Sequence, residues 1–172
     1  MTITVRRLGE ADLASYREIR LEALRDHPGA FGDAYELAIE RPESFYREGL
    51  ASMAVFGAFD DGGRQVGLMT FILGYGPKQK HRGEVIQVYV RPEARRTGTG
   101  SRLLDAIVEH ARPLVVQLHL GVSADNAAAI RFYEKAGFHI YGTEPRTLRV
   151  NGRYIDEHLM VRFLDEGARK ED

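Results

Sequence analysis

The chain has 172 residues, 44% of them hydrophobic and 28% charged, with a formal net charge of -1 and no cysteine. That length and mix fit one globular domain able to bury a proper core. The near-zero charge gives no bulk attraction to nucleic acid or an anionic membrane, and the missing cysteine removes disulfides, a thiolate nucleophile and a cysteine-held zinc. In chain order, "ITVRRL" alternates and predicts a short strand. "GEADLASYREIRLEALRDHPG" predicts a helix, with Leu13, Tyr16, Ile19 and Ala23 at helical spacing and "HPG" ending the run. "AFGDAYELAIE" reads as a loop or as a broken helix, and "RPESFYREGLA" as a short helix with proline in its first turn.

"MAVFGAFDDGGRQVGLMTFIL" is two apolar runs around "DDGG", the pattern of a hairpin. A polar turn region, "GYGPKQKHRG", separates it from the strand "EVIQVYV". After "RRTGTG", the segment "SRLLDAIVEHA" puts Leu103, Leu104, Ile107, Val108 and Ala111 on one helix face. "LVVQLHLGV" is apolar enough for a central strand, and "SADNAAAIRFYEKAGF" predicts a helix ended by Gly137, with Ala129, Phe132, Tyr133 and Ala136 on one face. Two strands, "HIYGTEPRTLRV" and "RYIDEHLMVRFL", flank the turn "NG", and "DEGARKED" reads as a frayed tail. The order β-α-α-β-β-β-α-β-α-β-β predicts a mixed α/β fold with a central sheet in a single domain over 1–172, and the strand–glycine loop–helix–strand unit at 84–122 favours a parallel crossover. "MTITVRRLGEADL" lacks a signal-peptide core and no apolar run reaches the roughly 20 residues that span a bilayer, so a cytoplasmic protein is expected.

"RRTGTG" is the first segment with chemistry in it. A glycine-rich turn between a strand and a helix start leaves backbone N–H groups without partners at the positive end of a helix dipole, which suits phosphate. Gly98 and Gly100 would let the phosphate approach, and Arg95 and Arg96 would add charge, with Arg91 and Arg102 near in sequence. A tight turn with solvated arginines is the other reading. Neither GxxxxGK[ST] nor GxGxxG is present, so the two common nucleotide loops are set aside.

"VYVRPEARRTGTGSRLL" followed by "NAAAIRFYEKAGF" resembles the GNAT superfamily of acetyl-CoA-dependent N-acetyltransferases, whose loop and helix motifs occur in this order. The resemblance covers nearly the whole chain and implies a mostly antiparallel sheet of about seven strands with a splayed parallel pair, flanked by about four helices. It implies that the anion is the pyrophosphate of coenzyme A, received by the N–H groups of Arg96, Thr97, Gly98, Thr99, Gly100 and Ser101, with Arg95 nearby. Backbone groups of Val88 and Val90, either side of Tyr89, would bond the pantetheine arm; Asn126 would bond it from the other side and Phe132 would pack along it. The chain departs from the family at Thr97, where the residue before the first loop glycine is usually Arg or Lys.

Acyl transfer from a thioester to an amine needs a neutral amine, a polarised carbonyl and a proton for the leaving thiolate. Tyr133 stands where the family's thiol-protonating tyrosine stands, although its helix spacing also fits a core aromatic. Glu84, at the start of the cofactor strand, is the candidate base, or else a solvated strand-end glutamate. Gln87 cannot act as a base and is a candidate for orienting substrate or water. His119 and His158 rank below Glu84, and the six histidines show no metal spacing, so no metal is expected. Between the first helices, Phe31, Tyr35, Phe45 and Tyr46 alternate with Asp33, Glu36, Glu40 and Glu43. Phe31, Tyr35, Glu36 and Gln87 are the candidates for holding an amine acceptor, against a loop anchored by its aromatics. Two functions remain: an acetyl-CoA N-acetyltransferase, and a non-catalytic acyl-CoA-binding module that would need the loop and Asn126 but not Tyr133. The long apolar last hairpin predicts a homodimer.

Overall fold

The computed structural model describes residues 1–165. In chain order the elements are β1 (Thr4–Arg7), α1 (Leu13–Asp26), α2 (Tyr35–Ala38), α3 (Glu43–Ser52), β2 (Ala54–Phe59), β3 (Gln65–Leu73), β4 (Arg82–Val90), α4 (Thr99–Ala111), β5 (Gln117–Ser123), α5 (Ala127–Lys135), β6 (His139–Val150) and β7 (Arg153–Phe163). The strands form a seven-stranded sheet in the order β1-β2-β3-β4-β5-β7-β6. This is the expected mixed α/β architecture. It has one helix more than expected: α2, a four-residue turn inside the ambiguous "AFGDAYELAIE". Of the tail read as frayed, everything beyond Asp165 lies outside the described residues.

The chain divides into two compact units: Met1–Ile72 with Ile86–His110, and Leu73–Val85 with the chain from Ala111 onward. In the first unit, α1 and α3 supply the core on one side of the sheet, where Leu13, Tyr16, Ile19 and Ala23 meet Tyr46, Leu50, Val55, Leu68 and Tyr89. Helix α4 covers the other side with Leu103, Leu104, Ile107 and Val108, all buried. β3 is therefore buried on both faces, and Gly67 marks the tightest approach: a Cβ there would come within 2.9 Å of Leu103 Cδ1. The turn after β2 closes on Asp60, whose Oδ1 accepts from the N–H groups of Gly62 and Arg64, with Gly63 at φ +77°. Pro42 caps α3 from just outside the helix rather than from within its first turn.

In the second unit, β4 and β5 run parallel over three pairs, Arg82↔Gln117, Gly83↔Leu118 and Glu84↔His119. β5 pairs antiparallel with β7 from Gln117↔Phe163 to Ser123↔Glu157. Leu118, Leu120, Val122 and Met160 are the buried side of this sheet. Helix α5 ends as its sequence predicts: Gly137 adopts φ +87° and the Phe138 N–H returns to the Tyr133 carbonyl at 3.0 Å. β6 and β7 meet at Asn151 (φ 49°) and Gly152 (φ 80°), the two left-handed residues a tight two-residue hairpin turn requires.

Candidate active site

The first unit holds the glycine loop. Arg96 (φ 62°) and Gly98 (φ 83°) are both left-handed, which bends the chain away from β4 and into α4. The first i→i-4 hydrogen bond of α4 runs from the Arg102 N–H to the Gly98 carbonyl at 3.0 Å. The N–H groups of Thr99, Gly100 and Ser101 thus precede the helical ladder and have no acceptor within it. A Cβ on Gly98 would meet nothing within 4 Å, so the space over the loop is open. These features make an anion cradle.

The charges around it divide. Arg91 is 2% exposed and serves the fold: its guanidinium bonds Glu18, Glu22 and the Gln65 carbonyl. Tyr89 donates to the same Glu22, and burial together with that carboxylate pushes its pKa up to about 12. Arg102 donates to the Ile3 carbonyl, and Arg95 to the Val90 carbonyl, with its other nitrogen at His27 Nε2. Arg96 is exposed. Thr97 donates to the Ala94 carbonyl at 2.7 Å and meets the buried Thr99 hydroxyl at 2.8 Å. Its proton therefore holds the loop in shape.

Gln87 sits in β4 with φ 55°, a left-handed residue inside a strand. That conformation costs about 1–2 kcal/mol for a non-glycine residue. Two hydrogen bonds into its Oε1, from Tyr16 Oη at 3.1 Å and Thr70 Oγ1 at 2.9 Å, are of the size to offset it, at about 0.5–1.5 kcal/mol each. The acceptor end of the amide is thus occupied, and what Gln87 can offer a ligand is its Nε2 donor.

Of the residues expected to hold the acceptor, Phe31 and Gln87 meet the buried stripe of α1, at Arg20 and Tyr16, and Tyr35 and Glu36 do not. Phe31 stacks on the guanidinium of Arg20, 4.9 Å from centroid to Cζ, and Arg20 follows Tyr16 by one helical turn. Tyr35 instead lines an open groove on the outer side of α1 with Arg17, Leu21, Arg25 and Glu43, and Glu36 is exposed on α2. The acids of this segment are not a free negative patch. Asp33 is held by Arg41 through two bonds of 2.7 and 2.9 Å, and although burial works to raise it, those bonds keep its carboxyl below the usual range. Glu43 pairs with Arg47.

The second unit holds the other candidates. Asn126 caps α5, its Oδ1 accepting from the Ala129 N–H at 3.1 Å, which leaves its Nδ2 as the donor for any ligand. Phe132 is half-buried against Tyr133, ring centroids 5.1 Å apart, and Tyr133 packs on Phe138 at 5.8 Å. Tyr133 is 5% exposed, and burial pushes its phenol well above the ordinary tyrosine range, with no charge or hydrogen bond among the described residues acting on it. Glu84 is exposed at the last of the three β4–β5 pairs.

A carboxyl that sequence reasoning passed over joins Glu84. Glu157, on β7, faces Glu144 across the β6–β7 pair and lies against Gly121, where a Cβ would come within 2.4 Å of its Oε1. Burial, then the charges of Glu144 and Glu84, hold its pKa above the usual carboxylate value. Its signal in the sequence was a carboxyl at period two with Ile155 and Leu159, on the same strand face as those apolar residues. Burial, then the charges of Arg82 and His81, lower the pKa of His119, whose ring is held by Gln117 (2.7 Å) and Tyr141 (3.3 Å). His158 bonds Thr143. Among the described residues no group of three or more metal-ligating side chains comes together, and no helix is long and apolar enough to cross a membrane.

The profile of the acetyltransferase (GNAT) family matches residues 16–138, which include the loop and Asn126, Phe132 and Tyr133. The chain belongs to that family. It is an N-acetyltransferase of GNAT type. It is 30% identical over 169 residues, 96% of each chain, to an L-methionine sulfoximine/L-methionine sulfone acetyltransferase of Pseudomonas paraeruginosa. An L-amino acid N-acetyltransferase of Escherichia coli is 31% identical over 102 residues, 58% of this chain and 62% of that one. A Salmonella typhimurium structure, titled as an acetyltransferase with its cofactor acetyl-CoA, superposes with a TM-score of 0.80 at 25% identity over 99% of both chains.

Proposed function

We propose that this GNAT acetyltransferase moves the acetyl group of acetyl-CoA to the primary amine of a small amino-acid-like acceptor by direct attack, with Tyr133 as the proton donor to the departing thiolate. The observation that carries the reading is the state of Tyr133, a buried phenol that stays protonated far above neutral pH. A general acid must hold its proton at the working pH. Burial that raises the phenol raises the proton affinity of a thiolate beside it for the same reason, so the two remain matched.

The residues present fit acetyl-CoA, which supplies an activated thioester when bound. The N–H groups of Thr99, Gly100 and Ser101 and the exposed Arg96 suit its pyrophosphate, and Gly98 leaves the approach open. Backbone groups of Val88, Tyr89 and Val90 hold the arm, with Asn126 donating from Nδ2 and Phe132 packing alongside. Glu84 receives the amine proton. Glu157 is the second carboxyl able to do so, because its raised pKa brings it closer to that of the task. The acceptors for which the relatives are named, L-methionine sulfoximine, L-methionine sulfone and L-amino acids, support a small α-amine as the acceptor. The reading places the protein in the cytoplasm as a homodimer.

Tyr133→Phe keeps the ring and its packing and removes the hydroxyl. Acetyl-CoA binding should change little, and the single-turnover rate should fall by roughly 10²–10⁴-fold. A folded variant with the wild-type rate removes the acid role. Glu84→Gln and Glu157→Gln, measured alongside, assign the base: the variant that abolishes the fall of kcat/KM toward low pH names it, and an unchanged limb in both excludes the pair.

A further inference from the structure

Arg20 lies in the buried stripe of α1, between Ile19 and Ala23, and is 7% exposed. Its Nη1 is buried with no hydrogen-bond partner among the described residues. Its Nη2 stands 3.9 Å from Asp33 Oδ2, beyond hydrogen-bond distance. Asp33 instead turns both its oxygens to Arg41, at 2.7 and 2.9 Å. The phenols nearby, Tyr16 and Tyr46, are neutral, burial raising both, and the Phe31 ring covers the guanidinium. Two guanidinium groups and one carboxylate leave this aromatic pocket with one uncompensated positive charge. A buried cation without an acceptor is costly, and proteins rarely leave one so.

The position says what the charge is for. Tyr16, one turn before Arg20, bonds Gln87, the left-handed residue of β4 that precedes the proposed pantetheine-binding stretch. Arg20 thus lies one helical turn from the tyrosine that holds Gln87, in the same unit as the stretch proposed to bind the pantetheine arm. We propose that Arg20 is a specificity-determining residue that binds the α-carboxylate of the acceptor, making free α-amino acids, and not amines in general, the substrates of this enzyme. The inference rests on the acetyltransferase reading and adds a substrate class to it. Nη1 supplies the unused donor, the planar fork suits a carboxylate, and rotation of the Phe31 ring admits it, a movement of ordinary size at binding sites. A water on Nη1 is the competing explanation.

The test compares L-amino acids, L-methionine sulfone among them, with their own α-carboxamides. The amide's amine is the less basic, so more of it is neutral, and without carboxylate recognition the amide is the better acceptor. For the wild type, kcat/KM should favour the free acid by at least about tenfold. In Arg20→Met that acid-to-amide ratio should drop about 10–100-fold, mainly through KM, the span for losing a charge-assisted hydrogen bond. The ratio is taken within one protein, so partial loss of folded enzyme cancels. If Arg20→Met does not fold, Arg20→Lys, which keeps the charge and loses the fork, should lower the ratio less. A wild-type ratio of one or below, or a ratio unchanged in the folded variants, overturns the carboxylate site and leaves the acetyltransferase standing. Turnover of no amine at all overturns both.

Discussion

Gly98 shows how little of the anion cradle is side chain. The residue is left-handed at φ 83°, the space above it is open, and the α4 N–H groups begin directly after it. Valine at 98 is β-branched, resists that conformation, and puts its methyl groups where the phosphate would lie. We expect Gly98→Val to weaken acetyl-CoA about 10–100-fold, the loss of one or two charge-assisted bonds, while the fold persists. Calorimetric titration checks it, and wild-type affinity in a folded variant would remove the cradle. At this scale the sequence was legible where spacing carries local geometry: the left-handed turn at Gly98, Asn126 at the start of α5, and Tyr133 on the buried face of that helix. It was not legible where a side chain departs from its element's pattern. Arg20 hid inside an apolar stripe, since a helix wheel reports which face is buried but not that a cation shares it. Thr97 was a candidate phosphate donor by position, and only the distance to the Ala94 carbonyl shows its proton engaged. Tyr35 and Glu36 follow Phe31 by a few residues but belong to a one-turn helix, in which Tyr35 lines the outer groove of α1 and Glu36 is exposed.

Among the elements, the last hairpin bears on assembly. β6 is the edge of the sheet, twelve residues long, and Ile140, Tyr141 and Tyr154 of the hairpin are exposed by 38%, 52% and 52%. Its register shifts twice, between Ile140 and Gly142 and between Glu144 and Leu148, and the second irregularity contains Pro145 and the left-handed Arg146. Bulges and proline are what keep an edge strand from adding to another sheet. The homodimer we propose therefore forms through the apolar face of the hairpin and not by strand addition. Sedimentation velocity should show a dimer that Tyr141→Glu or Tyr154→Glu dissociates; a monomer at all concentrations contradicts it. Strong, long patterns such as this hairpin and α4 were readable because period and turn residues agree. The "AFGDAYELAIE" segment was not, because its α2 is too short to show a period.

For the whole molecule, the order of elements was enough to predict the sheet, since a strand, a glycine turn, a helix and a strand leave few topologies open. What the order does not encode is chemistry: the same loop and Asn126 would serve an acyl-CoA carrier that transfers nothing. The catalysis we propose needs, in addition, a proton path through Tyr133 and a carboxyl. The direct measurement is release of free coenzyme A thiol from acetyl-CoA, by the purified wild type, across a panel of L-amino acids and simple amines. The account predicts thiol release that depends on the amine and matches the N-acetylated product one for one. Tight acetyl-CoA binding with no amine-dependent release across the panel would contradict it, and would make this chain a binding module.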